Sequence, residues 1–221
     1  MSGVSISIDG PTASGKTTLA TGLAEELGLA FLDTGVTYRS LAYALDHVPV
    51  EKLRAELGSL LVHQPEVHHP GRGGGICQHH RVLFRGEDIT HRIWNAQLDG
   101  HLKAISQDQA CRREILLMHR EIVEKYENIV AVGRDVATTL LPGASLHIYL
   151  TAEHAVRRER RRAQYRDFTD RSTAVGPATA RDLENRDAIR AMPNALEIDS
   201  TYTPAAAVFR AALHGLRRYS S

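Results

Sequence analysis

A three-layer α/β fold, a parallel sheet covered by helices, is what this sequence predicts, and three observations carry the prediction. Near the amino terminus, short β-branched runs alternate with stretches of helical apolar spacing. A glycine-rich turn joins the first such run to the first helical stretch. Further along, "NIVAVG" and "SLHIYLTA" recur as apolar runs that read as buried strands.

The elements follow in order. "VSISID" is a β-branched run that stops at Gly10, and "KTTLATGLAEELG" carries apolar residues at helical spacing until Gly28. "LAFLDTG" reads as a strand ending at Asp33, and "VTYRSLAYAL" as the helix behind it. From about His47 to Trp94 the texture becomes rich in His, Gly and Pro, with short strand-like pieces such as "RVLFRG", and this reads as an insert. Gln97 to Asn128 reads as helical, "NIVAVG" as a strand stopping at Gly133, "SLHIYLTA" as the next strand, and "EHAVRRERRRAQYR" as a basic helix. Asp167 to Thr179 is polar and loop-like, suiting a flap. "NALEIDST" is the last strand, and "PAAAVFRAALHGLRRY" a closing amphipathic helix with Pro204 at its start. At 221 residues one main domain is expected: a core of 1–46, 95–156 and 185–221, an insert of 47–94 and a flap of 157–184.

Composition narrows the function classes. With 43% hydrophobic and 24% charged residues, wholesale disorder is excluded. A formal net charge of +1 supplies no electrostatic reason to bind nucleic acid or a membrane surface, so any phosphate affinity must be local, for a small molecule. Cys77 and Cys111, the only cysteines, show no CxxC spacing and fit a reducing compartment. No basic-plus-apolar leader or membrane-length apolar run is visible, and a cytoplasmic monomer is expected.

The chemistry starts at Gly10-Pro11-Thr12-Ala13-Ser14-Gly15-Lys16-Thr17, which fits G-x-x-x-x-G-K-[ST] between a strand and a helix, with Thr18 completing the turn. Backbone N–H groups and the helix amino terminus offer partial positive charge to phosphates. Lys16 adds a full charge near the transferred group, and Thr17 a hydroxyl for Mg²⁺. The bland alternative is a tight glycine turn; the complete pattern in its proper context favours a nucleoside triphosphate, ATP. The same opening, "GPTASGKT", also resembles tRNA dimethylallyltransferases, so the loop alone leaves the reaction open.

Asp33-Thr34-Gly35-Val36-Thr37-Tyr38-Arg39, "DTGVTYR", followed much later by "GRD" at Gly133-Arg134-Asp135, resembles the D-[ST]-G-x-x-Y-R and G-R-D pieces of bacterial cytidylate kinases. "RGEDIT", "RREILLMHRE" and "NRDAIRAMP" extend the resemblance over nearly the whole chain in family order. It implies a P-loop kinase fold with an acceptor-binding insert and a mobile lid, and transfer from MgATP to a pyrimidine nucleoside monophosphate, CMP or dCMP.

Phosphoryl transfer between two polyanions gives the other residues their candidate roles. An acceptor phosphate calls for forked donors, for which arginine is better shaped than lysine, and Arg39, Arg113, Arg134 and Arg190 are the candidates. Asp33 and Asp135 follow strands, where an open α/β sheet presents its crevice. Asp33 is assigned to the acceptor phosphate and a magnesium-bound water, and Asp135 to the pyrimidine nucleotide; plain helix capping is the competing reading of both. The resemblance sets Thr34 at the base, places Tyr38 in the same motif, and makes Asp187 and Arg190 a D-x-x-R pair for base or sugar and phosphate, although i,i+3 Asp/Arg pairs also decorate ordinary helices. The run Arg157, Arg158, Arg160, Arg161, Arg162 is either a charged helix face or a lid closing over the phosphoryl group, and Arg157 and Arg161 are the catalytic candidates. His63, His68, His69, His79 and His80 lack a helical H-x-x-x-H pattern and read as a solvated insert rather than a metal site. Leu183, Ala104 and Ala137 depart from the family pattern, and they leave two other readings open: a kinase for a modified nucleotide, and a non-catalytic nucleotide-binding regulator.

Overall fold

The computed structural model describes residues 3–68, 76–78, 80–164 and 175–219. Strand β1 (Ser5–Asp9) runs through the turn at Gly10 into helix α1 (Lys16–Leu27), which Gly28 ends in the left-handed conformation at φ 66. Strand β2 (Ala30–Asp33) passes directly into α2 (Thr34–Ala44), because the Asp33 carboxylate caps the helix by accepting from the Gly35 N–H at 2.9 Å. The cap starts α2 two residues before the apolar spacing suggested.

The insert carries α3 (Val50–Leu60), β3 (Leu61–Gln64), β4 (Glu66–His68), β5 (Ile76–Gln78), β6 (Arg81–Phe84) and β7 (Glu87–Asp88). The helical stretch behind it breaks into α4 (Asp99–Gln107) and α5 (Gln109–Val123), since Asp108 caps the second helix through the Cys111 N–H at 2.8 Å. Then come β8 (Ile129–Gly133), the single turn α6 (Val136–Thr139), β9 (Leu146–Thr151), α7 (His154–Gln164), α8 (Ala180–Arg190), β10 (Ala195–Asp199) and α9 (Ala205–Tyr219). Helix α8 has no apolar stripe to announce it; its signal is the capping box of Thr179 and Asp182. The expected flap partly lies outside the described residues, at 165–174, as do 69–75 and His79 of the insert.

The main sheet has the order β10-β9-β1-β8-β2-β4-β5. Its first five members are parallel, with Ser7 opposite Ala131 of β8 and His147 of β9. One layer of side chains, including Ile6, Ile8, Val132 and Ile148, packs under Leu19 and Leu23 of α1 and Ala212 and Leu216 of α9. On the opposite face Ala30, Leu32 and Ala131 pack against Ile122 and Leu140. Emptying one such position, as in Ile8→Ala, costs about 2–5 kcal/mol.

The sheet is mixed rather than wholly parallel: β4 lies antiparallel to β2, with Glu66 opposite Phe31. The insert therefore extends the core sheet, and β3-β6-β7 forms a separate small sheet. Its Leu53, Leu57, Leu61, Val82 and Phe84 share one apolar cluster with Val36 and Leu41 of α2. Three-residue strands are too short for their period to be read from sequence.

Candidate active site

The loop Gly10–Thr17 closes over the carboxyl end of β1 in a conformation the sequence alone explains. Gly10 has φ 144 and Gly15 φ 100, and a Cβ on Gly10 would lie 2.1 Å from the Leu150 carbonyl oxygen. Ala13 also takes a left-handed φ of 62. Within the loop the Ser14 Oγ is buried with no hydrogen-bond partner among the described residues. Lys16 Nζ donates to the carbonyls of Gly10 at 2.8 Å and Pro11 at 2.9 Å, folding the ammonium over the concavity. Burial lowers Lys16 to about 8, against the pull of the Asp33 charge. A half-buried ammonium and an unspent buried hydroxyl around a glycine-built cradle fit a polyphosphate. Thr17 and Thr18 are exposed on the first turn of α1, and Thr17 and Asp33 offer the hard oxygens that suit Mg²⁺.

Asp9, which the sequence reading did not single out, roots this loop. Its fully buried carboxylate accepts from the Val136 N–H at 2.6 Å and the Ala137 N–H at 2.9 Å, tying the end of β1 to the turn that follows Gly133-Arg134-Asp135. Burial pushes Asp9 up to about 7 in spite of those two bonds. A carboxylate at the buried end of a strand, just ahead of the glycine turn, was the available signal.

Opposite the loop is a second cluster. Asp135 accepts from Arg112 Nη2 at 2.8 Å and from the Arg181 guanidinium. Tyr38 is half-buried beside them, its phenol raised first by burial and then by the Asp135 charge, with Arg112 opposing. Asn185 Nδ2 donates to the Arg134 carbonyl at 2.6 Å, and its Oδ1 accepts from the Thr138 hydroxyl at 2.9 Å. Arg134 reaches back to the loop, Nη2 to Thr12 Oγ1 at 3.1 Å, while its Nη1 lies 3.6 Å from buried Asp182. Arg39 lies 5.1 Å above the Trp94 ring, a cation–π seat at the edge of the insert. Thr34 is buried, its hydroxyl donating to the Val132 carbonyl at 2.9 Å rather than facing the open site.

Helix α7 closes a third side. Arg157 is buried and spans from the Thr12 carbonyl at 3.2 Å to the Gly176 carbonyl at 3.3 Å, joining the loop to the segment ahead of α8. Burial lowers its affinity for the proton. Arg161, one turn on, is buried on the same face, whereas Arg158 and Arg162 are exposed. Arg160 holds Ser200, whose hydroxyl donates to the Ser14 carbonyl at 2.8 Å.

The structure does not bring Arg113, Asp187 and Arg190 into these clusters. Arg113 is exposed, and its neighbour Arg112 meets Asp135. On α8 the residues turned inward are Asp182, Asn185 and Ile189, with Arg181 flanking them. Asp187 and Arg190 are exposed, and Arg190 pairs with Glu197 of β10. About 100° of rotation per residue decides which of two adjacent arginines faces inward. Leu183 and Ala104 are exposed as well, so an arginine at the former would point to solvent.

Two of the insert histidines correct the expectation of a solvated cluster. His63 is buried with Nδ1 at 2.8 Å from Thr37 Oγ1, which also meets His119 Nε2 at 2.7 Å. His80 contacts Asp33. Among the described residues no group of His, Cys, Asp or Glu side chains is arranged to hold a metal ion.

The family described as Cytidylate kinase matches residues 6–217. A cytidylate kinase of Pseudomonas savastanoi pv. phaseolicola is 36% identical over 205 residues, 89% of this chain and 87% of that protein. A cytidylate kinase of Thermotoga petrophila is 37% identical over 164 residues, 74% of this chain and 70% of its own length. A gluconokinase crystal structure from Sinorhizobium meliloti covers 98% of the chain and is itself covered to 93%, at TM-score 0.51 and 15% identity, a likeness of fold alone.

Proposed function

The chain belongs to the cytidylate kinase family, and from that premise we propose that it transfers the γ-phosphoryl group of ATP to CMP or dCMP. The observation that carries the reading is a glycine-built loop with its lysine linked by Arg134 to a cluster of arginines around Asp135. Loop Gly10–Thr17 with Lys16 lies on one side and the Arg112–Asp135–Arg181 cluster on the other, with Arg134 bonded to Thr12 between them.

Positioning and charge neutralisation do most of the work in phosphoryl transfer, since the acceptor is itself a phosphate oxygen. Lys16 exchanges its two carbonyl partners for donor phosphate oxygens. Arg134 and Arg157 already touch the loop and supply positive charge where it develops. Thr17, with Asp33 acting through a water, would hold a Mg²⁺ ion, which neutralises charge on the donor phosphates. Arg39, Arg112 and Arg181 hold the acceptor, and Tyr38 and Asp135 form its wall. Asp33 orients the attacking phosphate. The insert 47–94 covers the acceptor, and the segment 157–184 acts as a lid that brings Arg157 and Arg161 over the transferring group. The protein works in the cytoplasm as a monomer.

The test is ADP release coupled to product identification across CMP, dCMP, UMP, AMP, GMP and no acceptor. Turnover with CMP or dCMP, abolished in Lys16→Ala, is expected; ATP binding without turnover on any nucleotide would point to the regulator reading.

A further inference from the structure

We propose that His80, oriented by Glu66, is a positioning residue for Asp33, so that the insert sets the geometry of the carboxylate as well as covering the acceptor. The Asp33 backbone N–H donates to His80 Nε2 at 3.1 Å. An acceptor nitrogen carries no proton, so the ring proton of neutral His80 resides on Nδ1, which lies 3.4 Å from Glu66 Oε2. A carboxylate fixing the tautomer of a histidine that in turn fixes a third group is a device for orientation.

The ring is clamped on two further sides. Phe31 meets it edge-on with centroids 4.8 Å apart, and His63 lies tilted at 5.5 Å. Glu66 itself is registered opposite Phe31 by the pairing of β4 with β2. Behind His63, the Thr37 hydroxyl bridges to His119, linking the same assembly to α2 and α5. Insert, central strand and two helices thus converge on one peptide group.

That peptide leads into Asp33, where β2 becomes α2. One oxygen of the Asp33 carboxylate is spent capping the Gly35 N–H, so the direction of the other follows the local backbone. Holding the N–H limits rotation of that residue, and a small misplacement of a group that orients a substrate is costly to rate. The kinetic consequence rests on the phosphoryl-transfer reading above; the hydrogen bond does not.

The experiment uses the full chain with His80→Leu, His80→Gln and Glu66→Gln. Amide hydrogen exchange at Asp33 is read by NMR, and kcat and KM for both substrates are measured alongside. His80→Leu should speed exchange at the Asp33 N–H and lower kcat about tenfold, with KM for MgATP changed less than about twofold. His80→Gln, whose Oε1 can accept the same N–H, should restore most of both. Should His80→Leu fail to fold, Glu66→Gln is expected to show the same changes at smaller size. Unchanged exchange at Asp33 in the folded variant overturns the inference whatever the rates, and faster exchange with unaltered kcat overturns the positioning role. If the unmodified protein phosphorylates no nucleoside monophosphate, the functional reading fails while the exchange result still decides the His80 bond.

Discussion

The proposed donor and acceptor sides of the site are built by opposite means. The donor side is one contiguous loop whose shape comes from two glycines in left-handed conformations and whose single strong charge is Lys16. The acceptor side is assembled from α2, α5, the turn after β8, and α8, and it is held by paired charges, Arg112 and Arg181 on Asp135, and Arg134 beside Asp182. A contiguous loop carries its geometry in its sequence. A cluster collected from four segments depends on helix register, which the sequence states only loosely.

If the donor side depends on one charge, removing it should have the largest effect. Lys16→Met is expected to lower kcat about 10²–10³-fold. The same change should leave the ligand-free protein at least as stable near pH 7. Lys16 is depressed to about 8 from 10.5, so its favourable contribution is present above 10.5 and lost as pH falls through about 8. Thermal melts of both proteins at pH 7 and 9 check this; a variant markedly less stable at pH 7 would contradict it.

The acceptor side shares its charges, so single losses there should be smaller and specific to one substrate. Arg112→Ala should raise KM for CMP about tenfold while KM for ATP stays within about twofold, read from initial rates. An equal rise for both substrates would mean that the two sides are not separate.

Asp9 joins the sides, and its effect should appear in the pH dependence of stability rather than in either KM. With a folded pKa of about 7 against 3.8, its contribution is complete below about 4 and is lost as pH rises toward 7. Asp9→Asn should therefore flatten the decline in Tm between about pH 4 and 7, and an undiminished slope would assign that decline elsewhere.

The difference between the sides also explains what was legible in the sequence. Strands β2, β8 and β9 were readable because buried parallel strands are largely apolar runs, β1 from its β-branched run ending at Gly10, and α1 because Gly28 stops it. The pairing of β4 with β2 was not, because three residues carry no measurable period. Lys16 and Thr17 were proposed from sequence because their motif fixes their positions on the loop and the first turn of α1. That Arg112 and Arg181 meet Asp135, with Arg113 and Arg190 exposed, was not legible, although Thr179 and Asp182 would have set the start of α8 and hence its inward face. Asp9 escaped notice and His80 was read as part of a solvated insert because each acts on a backbone N–H, a partner that sequence patterns do not display.

The most direct test of the acceptor side compares two arginines on the same helix. The kcat/KM for CMP is measured for Arg181→Ala and Arg190→Ala side by side, with saturating MgATP. Arg181 contacts Asp135 while exposed Arg190 pairs with Glu197, so the first variant should lose about 10–100-fold and the second should stay within about twofold. A large loss at Arg190 with little at Arg181 would contradict the acceptor site described here.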